Sequence, residues 1–327
     1  MTDEGEARIR REAPPGWEVV RVSAATSSDG DGPVGGSDEA SRLIGDAEAY
    51  FGFGFTKDLL AAAKRLRWVH SAAAGVGNVL NTGIASTDIL ITNSAGIHGA
   101  PIAEFVVAGI LHFLRGLDVA IAQQRRGEWS KAFFVALDSP LREISESRVL
   151  IVGTGGLGGE TARRLSALGA TCVGVRRRPE LGAPEGFARV VGTSALDDEL
   201  PAADVLVLAA PLTADTSELM TGARLERLSR SAIVVNVARG ALVDEAALVE
   251  LLQQGRLRGA VLDVFQQEPL PASSPLWHLP NALVVPHVSP VSPGRFWPRQ
   301  LDLFLDNWRR YGRGEPLRNL VDKQAGY

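Results

Sequence analysis

The stretch 149–160, Val-Leu-Ile-Val-Gly-Thr-Gly-Gly-Leu-Gly-Gly-Glu, constrains the fold more than any other part of the chain. Four apolar residues read as a buried strand. Gly153, Gly155 and Gly158 follow at once with G-x-G-x-x-G spacing. Residues 161–168 then repeat apolar side chains at helical spacing until Gly169 stops them. Each glycine has its own role: Gly153 permits the tight turn, Gly155 lets the backbone approach a pyrophosphate, and Gly158 lets helix and strand pack closely. The helix start offers free N–H groups and a partial positive charge to phosphates. Gly156 and Leu157 complete this dinucleotide-binding turn.

After this motif the chain alternates strand and helix. Strands are expected at 171–175, 204–210, 231–237, 259–263 and 282–287, with a helix over 244–254 closed by Gly255. Such alternation implies a parallel, doubly wound α/β sheet. A smaller α/β pattern precedes it. Residues 17–22 alternate like a strand, 40–47 and 57–66 read as helices, and 49–55, 68–70 and 89–93 as strands. Residues 3–12 read as a short exposed helix and 27–38 as a loop. A long helix starts at Pro101, where the missing N–H costs nothing, and its apolar residues run on to about Ile121. Residues 125–147 read as an irregular surface arm. The last helix, 299–311, is expected to return to the first unit. A chain of 327 residues fits about two domains of ~150 residues each. The divisions are placed at 1–96 plus 289–327 for an outer, substrate domain and 97–288 for the dinucleotide-binding domain.

Composition narrows the function classes. A net charge of −4 without a dense basic patch gives no case for a nucleic-acid or membrane partner. No apolar run reaches the ~18 residues that a transmembrane helix needs, and the acidic start is unlike a secretory signal. The single cysteine, Cys172, excludes a disulfide within the chain and fits a cytoplasmic setting. No His, Cys and Asp cluster has metal-ligand spacing, so no metal is expected.

Open α/β sheets bind ligands outside the carboxyl ends of their strands. The residues found there are Pro211 and Thr213, then Val237 and Arg239, then Asp263, then His287. An arginine, an aspartate and a histidine on one crevice are what 2-keto acid reduction needs. A cation holds the carboxylate, an imidazolium donates a proton, and a nicotinamide supplies hydride.

These residues resemble the D-isomer-specific 2-hydroxyacid dehydrogenases. The likeness rests on Gly153-Thr-Gly-Gly-Leu-Gly158, Asn236-Val-Ala-Arg-Gly240, Asp263-Val-Phe-Gln-Gln-Glu268-Pro269 and Pro286-His287, and runs from about residue 46 to the end. It implies a Rossmann-type domain inserted in a smaller flavodoxin-like α/β domain, the two closing on substrate. It also implies a catalytic set of Arg239, Glu268 and His287. His287 is the acid/base, Glu268 bonds its other ring nitrogen, and Arg239 grips the substrate carboxylate and carbonyl. Asp263 holds the nicotinamide carboxamide, and backbone N–H groups of Ala74, Gly75 and Val76 take the substrate carboxylate. A homodimer is implied too, with the helix from Pro101 and the arm around Trp129 at its interface.

The departures carry information as well. NAD-preferring folds place Asp or Glu after the second strand, to bond the ribose 2′-OH. Here that position reads Arg176-Arg177-Arg178. Arginine cannot accept that bond but pairs well with a 2′-phosphate, so NADP is expected over NAD; the alternative is three solvated arginines and use of both cofactors. After His287 comes Val-Ser-Pro where the family often has Ala or Gly, and residues 1–12 are charged where an apolar strand is usual.

For the substrate, glyoxylate or hydroxypyruvate is the conservative expectation. Phe51, Phe53, Phe55, Phe296 and Trp297 are either core or an aromatic wall for a bulkier acid. Of the other histidines, His70 and His112 read as core or surface residues, His98 as a hinge residue or ligand contact, and His278 as exposed. The rival reading is a non-catalytic NAD(P)-sensing protein, corepressor-like, on the same fold. A formate dehydrogenase is disfavoured, because formate-oxidising relatives carry Gln where Glu268 stands.

Overall fold

The computed structural model describes residues 3–14, 16–22 and 38–326. The loop read over 27–38 falls almost wholly outside them. The chain divides into two units: residues 1–98 with 291–327, and residues 99–290.

The first unit is a three-stranded parallel sheet in the order β1-β2-β3, with β1 Ala49–Gly52, β2 Trp68–Ser71 and β3 Leu90–Thr92. Helices Asp38–Leu43 and Lys57–Ala62 lie between and beside these strands. Thr56 caps the second helix by accepting a bond from Leu59 N. The long amphipathic helix Phe296–Arg313 buries Leu301, Phe304, Leu305 and Trp308 against Trp68 of β2 and Ile9. Ile9 lies on helix Asp3–Glu12, so that helix is docked through one face rather than fully exposed.

Residues 17–22 do not form the expected strand. Their alternation is used differently. Trp17 meets Trp308 and Tyr311 edge-on at 5.7 and 6.1 Å, and Val19 faces the same cluster. The apolar residues are thus buried by a helix, and no neighbouring strand is needed.

The second unit is a seven-stranded, all-parallel sheet. Its strands are β4 Arg148–Val152, β5 Thr171–Arg176, β6 Arg189–Gly192, β7 Val205–Leu208, β8 Ile233–Asn236, β9 Gly259–Leu262 and β10 Ala282–Val284. The order is β10-β9-β8-β7-β4-β5-β6, so the direction of winding reverses between β4 and β7. Alternate residues of β4 serve opposite cores: Leu150 and Val152 lie in one, Val149 and Ile151 in the other. Burial on both faces is why these strands read as unbroken apolar runs. Strand β6 was not anticipated. It is a short edge strand with no fully buried residue, so its sequence carries little signal.

The expected long helix is two: Gly99–Leu114 and Leu117–Arg126, bent by 67°. Gly116 between them adopts φ 68°, which ends the first helix. Arg258 stabilises the break by donating to the Phe113 carbonyl at 2.8 Å, which also accepts from Gly116 N at 3.2 Å, and by pairing with Asp118 at 2.8 Å. Among the described residues no single helix is long and apolar enough to cross a membrane. In the segment assigned to a subunit contact, Trp129, Val135 and Leu137 are exposed.

Candidate active site

The glycine turn after β4 is built as its spacing requires. Gly153 has φ 100°, and a Cβ there would lie 2.6 Å from the Ala209 carbonyl oxygen. A Cβ on Gly158 would lie 1.8 Å from the Gly153 oxygen. Both positions are therefore closed to any side chain. Gly155 differs: a Cβ there would meet no protein atom within 4 Å. Its space lies in front of helix Gly156–Ala167, which has no side-chain cap. Uncapped N–H groups facing open space suit a pyrophosphate, so the turn fits a dinucleotide. Leu157 packs partly into the core behind it.

Arg176 is the last residue of β5, in register with Gly192, and is half-buried; Arg177 and Arg178 are exposed beyond it. Pro211 and Thr213 lie in the loop after β7, where Thr216 Oγ1 donates to the Pro211 carbonyl at 2.7 Å and accepts from Thr213 N at 2.8 Å. Val237 is a core residue, so only its backbone faces outward. In the first unit, Ala74, Gly75 and Val76 follow β2. Asn93 Nδ2 holds the Ala74 carbonyl at 2.8 Å. Among the described residues the three N–H groups donate to no other group.

The polar constellation converges beyond β8, β9 and β10. Asn236 shapes the turn carrying Arg239: its Nδ2 donates to the Arg239 carbonyl at 2.9 Å and its Oδ1 accepts from Ala238 N at 3.1 Å. Gly240 allows this turn to cross the one after β9, since a Cβ there would stand 1.9 Å from the Phe265 carbonyl carbon. Sequence reasoning missed that role; Gly240 was only part of a motif. The Glu268 carboxylate bridges two groups, accepting from Phe265 N at 2.9 Å and meeting His287 Nδ1 at 2.8 Å.

His287 lies three residues past the end of β10, beyond the strand expected to include it. Its φ of 51° is a left-handed conformation that few side-chain-bearing residues adopt. The fold holds it there: His287 N donates to the Asp263 carbonyl at 2.9 Å and to that of Val285 at 3.1 Å. The buried Asp263 carboxylate then accepts from Val288 N at 2.7 Å, from Ser289 N at 3.1 Å and from the Ser289 hydroxyl. Ser289, the departure after His287, is thus a built part of the loop. Three bonds leave this carboxylate about one of its roughly four acceptor positions for any further donor.

Electrostatics follow from this geometry. The bond to Glu268 raises the His287 pKa above its ordinary value and outweighs burial; Glu268 and Asp263 charges add to the rise, and the Arg239 charge opposes it. Burial alone would push Glu268 up, but the bonds from His287 and Phe265 N hold it below the usual carboxylate range. Each partner therefore favours the other's charged form. Arg239 acts on both groups, so the guanidinium and the ion pair share one locality. Among the described residues no group of three or more His, Cys, Asp or Glu is placed to hold a metal.

Residues 107–289 match the family described as D-isomer specific 2-hydroxyacid dehydrogenase, NAD binding domain. The chain belongs to the D-isomer specific 2-hydroxyacid dehydrogenase family. The family's description makes it an NAD-binding 2-hydroxyacid dehydrogenase. A D-isomer specific 2-hydroxyacid dehydrogenase from Xanthobacter autotrophicus Py2, solved with NADPH and MES, is 31% identical with a TM-score of 0.83, covering 100% of this chain and 96% of that one. The NADPH-dependent glyoxylate/hydroxypyruvate reductase of Sinorhizobium meliloti, solved with NADP and sulfate, is 31% identical with a TM-score of 0.76, covering 86% and 87%. D-3-phosphoglycerate dehydrogenase of Methanocaldococcus jannaschii is 32% identical over 235 residues, 71% of this chain but 43% of that protein. The chain thus spans less than half the length of that relative.

The remaining aromatic and histidine residues separate cleanly. Phe51 stacks on Phe304 at 4.4 Å and Phe55 is buried beside Tyr50, so both are core. Phe53, Phe296 and Trp297 are only half-buried and form their own cluster, with His98 stacked on Phe296 at 4.7 Å. His70 is fully buried, bonds Thr92 Oγ1 at 2.7 Å, and is pushed by burial down to about 3, so it is a structural group. His112 is half-buried on the edge of Phe113, and His278 is exposed.

Proposed function

We propose that this enzyme reduces a short 2-keto acid, of the glyoxylate or hydroxypyruvate kind, to the D-2-hydroxy acid with NADPH. The observation that carries the reading is the 2.8 Å Glu268–His287 Nδ1 contact. Nδ1 is committed to the carboxylate, so Nε2 is the nitrogen that can give a proton to a substrate oxygen. Glu268 fixes the ring's orientation and favours the imidazolium, the form a general acid needs. Arg239 supplies a planar, permanently charged fork for the substrate's carboxylate and carbonyl. The free N–H groups of Ala74, Gly75 and Val76 are proposed to hold the same carboxylate. A bound nicotinamide would supply hydride to the carbonyl carbon. Gly153, Gly155, Gly156, Leu157 and Gly158 would seat its pyrophosphate, Pro211, Thr213 and the Val237 backbone would line the cofactor, and Asp263 would face its carboxamide.

NADPH is favoured by Arg176, Arg177 and Arg178, which put cations where a ribose-binding carboxylate would otherwise stand. The Xanthobacter and Sinorhizobium relatives, solved with NADPH and NADP, support this choice. The Sinorhizobium reductase supports the substrate class. The test is steady-state oxidation of each cofactor against a panel of 2-keto acids. Turnover of glyoxylate or hydroxypyruvate is expected, with kcat/KM at least tenfold higher for NADPH than NADH. A preference for NADH would overturn the cofactor assignment. Absence of turnover with every acid and both cofactors would overturn the activity and leave the sensing role.

A further inference from the structure

The first unit carries two neighbouring buried donors that no protein acceptor satisfies. His98 follows β3 and is 8% exposed. Its Nε2 lies 3.2 Å from Gln300 Nε2. The orientation of that amide is fixed from its far side. The Ala72 carbonyl can only accept, so the Gln300 atom bonded to it is the amide nitrogen. Gln300 Oε1 correspondingly accepts from Ser94 Oγ at 2.6 Å. Gln300 therefore donates to His98, whose Nε2 must be the lone-pair nitrogen. The ring proton then sits on Nδ1. That atom is buried and has no hydrogen-bond partner. Burial, with the nearby charge of Arg299, pushes His98 down to about 4, in keeping with a neutral ring.

The second donor is Arg299 itself, one residue before Gln300 on helix Phe296–Arg313. Its Nη1 is also buried and without a partner. A buried N–H without an acceptor is destabilising, and more so when charged. Native proteins keep few of these, and those kept call for a cause. Beside His98 stands the half-buried ring of Phe296, which clusters with those of Phe53 and Trp297. One cation, one neutral donor and an apolar rim match a carboxylate carried on a small organic body.

We propose that Arg299 and His98 form a carboxylate-binding site in the first unit, distinct from Arg239. Its ligand is a free small carboxylate acting as an effector, and the proposal does not rest on the reductase reading.

The test uses the full chain, Arg299→Gln and Arg299→Lys. Millimolar succinate is expected to raise the Tm of the wild type and of the Lys variant but not of Arg299→Gln. This readout needs no turnover, so it still reads the site if the reductase reading fails. Equal succinate responses in all three proteins, or no response in any of them, would overturn the proposal and assign the two donors to water.

Discussion

Replacing His287 with alanine is expected to lower kcat for 2-keto acid reduction by about 10²- to 10⁴-fold, the usual contribution of a positioned general acid. KM for NADPH should change little, because the glycine turn follows β4 and the three arginines stand at and beyond the end of β5, strands that are not neighbours of β10. The side chain is only partly buried and its main partner is Glu268. Its removal leaves that carboxylate with the Phe265 N–H bond. Folding should therefore survive, and a circular dichroism melt within a few degrees of wild type would show it. Retention of more than a tenth of the wild-type kcat would show that another group, or water, protonates the product.

The second large effect concerns the backbone. Gly240→Ala is expected to destabilise the second unit by about 3 kcal/mol, the upper range for overpacking. The new methyl group would overlap the Phe265 carbonyl, with 1.9 Å to its carbon and 2.0 Å to its oxygen, and backbone cannot swing aside as a side chain can. Relief of that clash would move the Arg239 turn away from the turn whose Phe265 N–H binds Glu268. Activity should fall along with stability. Gly155→Ala is the contrasting control: it has φ −74° and nothing within 4 Å of the added atom. It should leave the urea midpoint unchanged and raise KM for NADPH. Equal stability of the two variants in urea denaturation would refute this account of the crossing loops.

The contrast between these glycines shows what the sequence can disclose. A glycine spacing flanked by strand and helix signals marks the cofactor turn, because strand, turn and helix are all local. Three candidate site residues were legible through a topological rule: parallel sheets bring strand ends together, so Arg239, Asp263 and His287 could be gathered from distant positions, whereas Glu268 was supplied by the family resemblance. What remained hidden was non-local. Gly240 matters because of Phe265, 25 residues on, and Ser289 because of the Asp263 carboxylate. The positive φ of His287 is imposed by bonds to Asp263 and Val285 and leaves no mark in composition. Residues 17–22 show the opposite error. Alternation reports which side chains are buried, and a helix can bury them as well as a sheet can. Strand β6 escaped because an edge strand needs few apolar residues.

The central claim is that the Glu268-backed imidazolium of His287 is the proton donor. The measurement that tests it most directly is the pH dependence of kcat/KM for keto-acid reduction in wild type and Glu268→Gln. His287 must be protonated to act as acid, so the wild-type rate should hold at low pH and fall as pH rises through a pKa above about 6.5. The glutamine cannot supply the charge that raises this pKa, and burial then lowers it. The descending limb should therefore move to lower pH by about one unit or more, with the opposite limb moving likewise in hydroxy-acid oxidation. Superimposable profiles for the two proteins would contradict the claim.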